Sequence, residues 1–185
     1  MTRSAFALIF ALILAPTQPA LSEASVASRP ARVEWAQTNT DTVDRTLTMQ
    51  PGGTLRLKTF SGRVRITGGS GDQVVIHAVR RGRQDRLDDI KLEITQSGNT
   101  VEVDANHRVV ERRNDNVVET DFDIQVPART RLDIKTFSAP VTVIGVSESQ
   151  KIDGFSSDIR IEASQWGDGN SLDINTFRGA VSIRR

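Results

Sequence analysis

The sequence predicts an all-β chain in which N-terminal β-hairpins run into a short solenoid of strand repeats. Three observations carry that prediction. The first is a recurring phrase: residues 55–66 read Leu-Arg-Leu-Lys-Thr-Phe-Ser-Gly-Arg-Val-Arg-Ile, and the same frame returns at 132–143, 151–161 and 172–183. Phe60, Phe137, Phe155 and Phe177 anchor the four copies, the last three 18 and 22 residues apart. Periods near 20 residues built from short alternating strands indicate stacked rungs, each too small to bury its own apolar face. The second observation is apolar–polar alternation along most of the chain, the period of a half-buried strand. The third is turn chemistry between the alternating runs, Gly and Pro supplying the backbone angles that a turn requires.

The elements follow in order. Alternation begins at Thr42, with Val43, Arg45, Leu47 and Met49 on one face, and ends at Pro51-Gly52-Gly53. Leu55 and Leu57 open the first repeat, Ser61-Gly62 breaks it, and Val64 and Ile66 resume it. A Gly-rich turn at 68–72 leads into a strand over 74–79. Ile90, Leu92 and Ile94 alternate up to Gln96-Ser97-Gly98-Asn99, and Val101, Val103 and Ala105 alternate away from it, which predicts a β-hairpin. The charged stretch around Leu87 also admits a helical reading, but the strict alternation of its tail favours strand. A polar connection over 106–116 precedes a strand of Thr120, Phe122, Ile124 and Val126, closed by Pro127.

In the stack, equivalent positions lie about 4.8 Å apart. Leu55/Leu57, Leu132/Ile134 and Leu172/Ile174 are therefore expected to form apolar columns, as are Val64/Ile66, Val141/Val143, Ile159/Ile161 and Val181/Ile183. The phenylalanines are expected to stack near the corners and to be buried there. Gly62 and Gly179 fit the corners because glycine accepts backbone angles that other residues resist. Thr59, Thr136 and Thr176 share one position, interrupted by Gly154. A flat threonine array for binding a sugar is one reading of them; ordinary strand preference is the plainer one.

The ends and the composition bound the function. Met1-Thr2-Arg3 followed by an apolar run over 4–15 reads as a secretory signal peptide of 24 residues, cleaved after Ser22 or Ala24. The run is shorter than the roughly 20 residues needed to cross a bilayer, so no transmembrane span is expected after cleavage. Residues 25–40 read as a linker and 41–185 as the repeat domain. The chain carries 24 Lys and Arg against 23 Asp and Glu, a net charge of +1, which argues against a nucleic-acid partner. With no cysteine, neither disulfides nor thiolate metal sites are available.

The ordering of the Gly-bearing repeat 60–66, the hairpin, the strand ending Val126-Pro127 and the further strand–Gly or Ser–strand rungs resembles the bacterial putative-adhesin, β-strand-repeat domain of unknown function, related to the head domain of auto-transporter adhesins. The resemblance covers residues 42–185. It implies a right-handed, β-helix-like fold, an exported or membrane-tethered location and no established enzymatic activity. It supplies no functional residues.

Candidate sites come from the residues alone. Two histidines, His77 and His107, are not placed to build a hydrolytic triad. Asp121 and Asp123 share a strand face and are the acids available to a small carbohydrate-active enzyme, the alternative to a non-catalytic module. Asp88-Asp89 and Asp168 are further candidate acids, and the Gly167-Asp168-Gly169-Asn170 turn resembles a fragment of a calcium loop but lacks the remaining ligands. Arg80, Arg81, Arg83 and Arg86, with Arg63 and Arg65 on the first repeat, are the candidate basic patch for phosphate or carboxylate groups. Arg108, Arg112 and Arg113 form a second basic group. The expectation is a non-enzymatic envelope module without metal or cofactor. Its expected partner is an anionic envelope polysaccharide or another envelope protein.

Overall fold

The computed structural model describes residues 38–108, 118–162 and 169–184. The predicted signal peptide, most of the linker, Arg112, Arg113 and the Gly167-Asp168 part of the turn lie outside the described residues.

The strands are β1 (Asn39–Thr48), β2 (Thr54–Ser61), β3 (Val64–Gly69), β4 (Gln73–Gly82), β5 (Ile90–Ser97), β6 (Thr100–Arg108), β7 (Glu119–Pro127), β8 (Arg131–Ser138), β9 (Val141–Ile144), β10 (Gln150–Ser156), β11 (Ile159–Glu162), β12 (Leu172–Arg178) and β13 (Val181–Arg184), with one short helix, α1 (Gln84–Asp89). All thirteen strands belong to one curled sheet. Each rung is a strand, a corner and a second strand, so the stack has two walls. One wall runs β5-β6-β2-β8-β10-β12 and the other β1-β4-β7-β3-β9-β11-β13. Pairing between successive rungs is parallel, as in a β-helix-like solenoid.

The stack does not follow chain order. The first repeat, β2–β3, lies between β6–β7 on one side and β8–β9 on the other. Strands β6 and β7 thus make a rung of their own, with Val101 and Val103 beside Leu55 and Leu57, and Phe122 and Ile124 beside Val64 and Ile66. Antiparallel strands then cover that rung, β5 on β6 and β4 on β7, with β1 outside β4.

The predicted columns form. Leu55 aligns with Leu132 and Leu57 with Ile134; Ile134, Ile152 and Ile174 continue one column, and Val64, Val141, Ile159 and Val181 another. Inward residues from both walls make one core, fully buried from Val101 to Ile161. Gln150 occupies a position that leucine fills in the rungs on either side, and its buried Nε2 donates to the Val146 carbonyl at 3.2 Å. That bond removes the cost of burying an unpaired amide donor.

Two expectations are corrected. Residues 84–89 are helical rather than extended: Leu87 turns into a small apolar cluster with Ile90 and Val118, and the Arg83 carbonyl accepts from the N–H groups of Arg86 and Leu87. The strand begins at Ile90, where the alternation becomes strict. The phenylalanines do stack, but outside. Leu55, Leu57 and Thr59 take the inward parity of β2, which turns Phe60 outward.

Candidate functional site

The four outward phenylalanines form a continuous ladder along the corner of the stack. Ring centroids are 4.6 Å apart for Phe60–Phe137, 4.8 Å for Phe137–Phe155 and 5.1 Å for Phe155–Phe177, with interplanar angles of 14°, 5° and 17°. Exposure rises along the ladder, from 37% at Phe60 through 43% and 45% to 71% at Phe177. Because the rings cover one another's faces, the ladder offers solvent a strip of ring edges, the electropositive rim of each ring. Phe60 and Phe177, the two ends of the ladder, each have one ring neighbour among the described residues, and the Arg178 guanidinium lies 5.8 Å from the Phe177 centroid.

The corner that positions the ladder is held from inside. Thr59 and Thr136 are buried, and Thr136 Oγ1 accepts from the Ala139 N–H at 3.1 Å. Thr176 Oγ1 donates to the Ser157 and Arg178 carbonyls. The threonine column therefore caps the corner backbone and is no flat external array. Gly62 (φ +113°) and Gly179 (φ +148°) take angles that side-chain-bearing residues avoid. A Cβ at Gly62 would strike the Thr120 carbonyl of the neighbouring rung, and one at Gly179 the Ser157 carbonyl.

The outer face of the second wall carries two arginines in one row, alternating with Thr142 and Ser182. Arg65 aligns with Thr142, Thr142 with Arg160, and Arg160 with Ser182. In the next row, Thr67 aligns with Ile144, Ile144 with Glu162, and Glu162 with Arg184. Arg160 Nε donates to Glu162 Oε1 at 2.8 Å. This hydrogen bond holds the Glu162 carboxyl below its ordinary value, with the nearby Arg160, Arg184 and Arg65 charges adding to the effect. Three cations thus surround one acid on an open face, and Arg63 is exposed at the start of β3.

The arginines that cluster in sequence are dispersed by the fold. Arg80 is buried (3% exposed): Nη1 donates to Asp41 at 2.8 Å and Nη2 to the Ile90 carbonyl. Arg81 donates to Asp121 at 2.7 Å, which raises its pKa, and lies 3.6 Å from Glu119. Arg83 pairs with Asp85, and Arg86 lies in α1. Of the six, Arg63 stands at the start of β3 and Arg65 on its outer face. Arg160 and Arg184 were missed, although the repeat alignment puts Arg65 and Arg160 at the same position of their copies.

Asp121 and Asp123 share the outward parity of β7, but Asp121 accepts from Arg81. His77 Nδ1 sits 2.6 Å from Asp44 and His107 Nδ1 2.8 Å from Glu93, in separate exposed pairs. Among the described residues no group of three His, Asp or Glu side chains is arranged to hold a metal, and no helix is long and apolar enough to cross a membrane. A cleft of about 410 Å³ between β1, α1 and β5 is lined by Asp41, Arg80, Asp88 and Lys91, whose charges alternate in sign.

The chain is thus a β-helix-like repeat protein with an aromatic ladder and an arginine row on its outside. Two solved structures are similar to it. One is described as a putative cell adhesion protein from Clostridium sporogenes, with a TM-score of 0.47 and 12% identity, covering 78% of this chain and 99% of that one. The other is described as a putative adhesin from Bacteroides fragilis, with a TM-score of 0.30 and 9% identity, covering 78% of this chain and 96% of that one. No family model and no curated protein matches the sequence.

Proposed function

We propose that this chain is an exported, non-catalytic module of the cell envelope that binds or organises an envelope component, with anionic polysaccharide as the ligand class. The observation that supports it best is the exposed phenylalanine ladder at the corner of the stack, followed in the same rungs by Arg65 and Arg160 on the outward parity of the second wall. Ring edges and guanidinium forks are both complementary to carboxylate-bearing sugars: the forks donate paired hydrogen bonds to a carboxylate and the rims attract partial negative charge. Rows that repeat at strand spacing suit an extended, repeating ligand better than a compact one. The arginine-rich segment from Arg80 to Arg86 contributes local pairing, and the outer row carries the binding. The signal-like N-terminus, residues 1–24, and the strand-repeat resemblance support export, with 25–40 as tether and 41–185 as the binding domain.

The test is binding of the full chain to acidic and neutral polysaccharides at low and high salt. Salt-sensitive binding to the acidic polymers, weakened about tenfold by Arg65→Gln with Arg160→Gln, is the expected result. Binding that is indifferent to both substitutions, or silence across the whole set, sinks the proposal.

A further inference from the structure

Among the described residues the rung β12–β13 differs from the others in what covers it. Val181 is 45% and Ile183 51% exposed, whereas Val141, Val143, Ile159 and Ile161, in the same two columns, are buried. Leu172 and Ile174 are only partly buried. Among the described residues, β12 pairs on one side with β10 and β13 on one side with β11, so each presents an unpaired backbone edge. Among the described residues Phe177 has a ring neighbour on one side only, Phe155, and the Arg178 guanidinium lies 5.8 Å from its centroid.

We propose that this end is a dimer interface, occupied by a second copy of this chain related by a two-fold axis through the corner near Phe177. Such an axis lays β12 of one copy along β13 of the other, antiparallel, and does so twice. An edge of unpaired N–H and C=O groups is a template for strand addition, and an interface of this symmetry must match itself. The terminal rung does match itself. If Ile174 lies opposite the partner's Ile183, then Thr176 lies opposite the partner's Val181, and inward residues meet inward residues. On the outer side the same register sets Asn175 against the partner's Ser182 and Asp173 against the partner's Arg184, an opposite-charge pair that the symmetry repeats. In the same register Phe177 lies opposite the partner's Ala180, close to the axis. Each part of the rung that is left uncovered thereby gains a partner of matching chemistry.

The opposite end of the stack is built against such pairing. There β5 carries a register irregularity between Lys91 and Glu93, which interrupts the regular ladder an added strand needs. Bulges are a usual protection of a sheet edge. One pairing end and one protected end give a closed dimer and no filament.

The inference stands apart from what the outer face binds. Sedimentation velocity of the full chain over a wide concentration range should show a monomer–dimer equilibrium. Ile183→Lys should abolish the dimer while leaving the far-ultraviolet circular dichroism and the polysaccharide binding of the unaltered protein in place. Asp173→Arg and Arg184→Glu should each raise the dimer dissociation constant about tenfold, and the two together should restore it. A monomer at every concentration, assemblies larger than two, or a double variant no better than the single ones overturns the proposal. Loss of polysaccharide binding with an intact dimer overturns the proposed function instead.

Discussion

At one end of the stack Val101, Val103 and Ile124 lie sealed beneath antiparallel strands, while at the other Val181 and Ile183 stand half exposed. The side chains are nearly the same, and the copies of the repeat differ little. A rung is stabilised by what lies above and below it, so identical residues contribute unequally according to their place in the stack.

Core truncation separates the two ends most widely. Ile134→Ala, in the middle of the stack, should cost about 2–5 kcal/mol in urea unfolding, whereas Ile183→Ala should cost less than about 1 kcal/mol in dilute protein. Equal losses would mean that the last rung is covered in solution. A cost at Ile183 that grows with protein concentration would show the cover to be a second chain.

The corner glycines give the next contrast. Gly62→Ala should cost about 2–4 kcal/mol, because a positive φ is strained for alanine and the Thr120 carbonyl belongs to a fixed rung. Gly179→Ala meets an equivalent obstacle at Ser157, but the terminal rung can yield, and about 1 kcal/mol is expected. Thermal melts of both variants decide it, and a larger shift for Gly179→Ala would contradict the ranking.

The smallest effect is in the ladder. Phe137 stacks on both faces and Phe177 on one, so Phe137→Ala should cost about 1–2 kcal/mol and Phe177→Ala about 0.5 kcal/mol. Similar values from denaturant titration would show that the outer rings add little to rung register.

Much of this architecture was legible in sequence. The β5–β6 hairpin follows from alternation on either side of Gly98-Asn99, and Gly98 takes the positive φ such a turn needs. Rung content followed from the repeat, since parity alone sorts Leu55 and Leu57 inward. Stacking order did not follow, because a period says what a rung contains and nothing about which rung it meets. Strand β2 takes β6 and β8 as neighbours through long-range pairing that no local pattern records. Arg80 was legible and overlooked: it continues the inward parity of Val74, Ile76 and Ala78, so its place was the interior and its partner Asp41. The outer arginine row was harder to see, because Arg65 and Arg160 become neighbours only through an intervening rung.

The parallel register has a consequence for how such a surface changes size. From β8 to β13 the rungs stack in chain order, so duplicating or deleting one of them there keeps the parallel register between the rungs that remain. The outer surface then lengthens or shortens in steps of about 4.8 Å for roughly 20 residues of chain. The length of the outer surface is thus set by the number of rungs, while what each step presents is set by that rung's own residues.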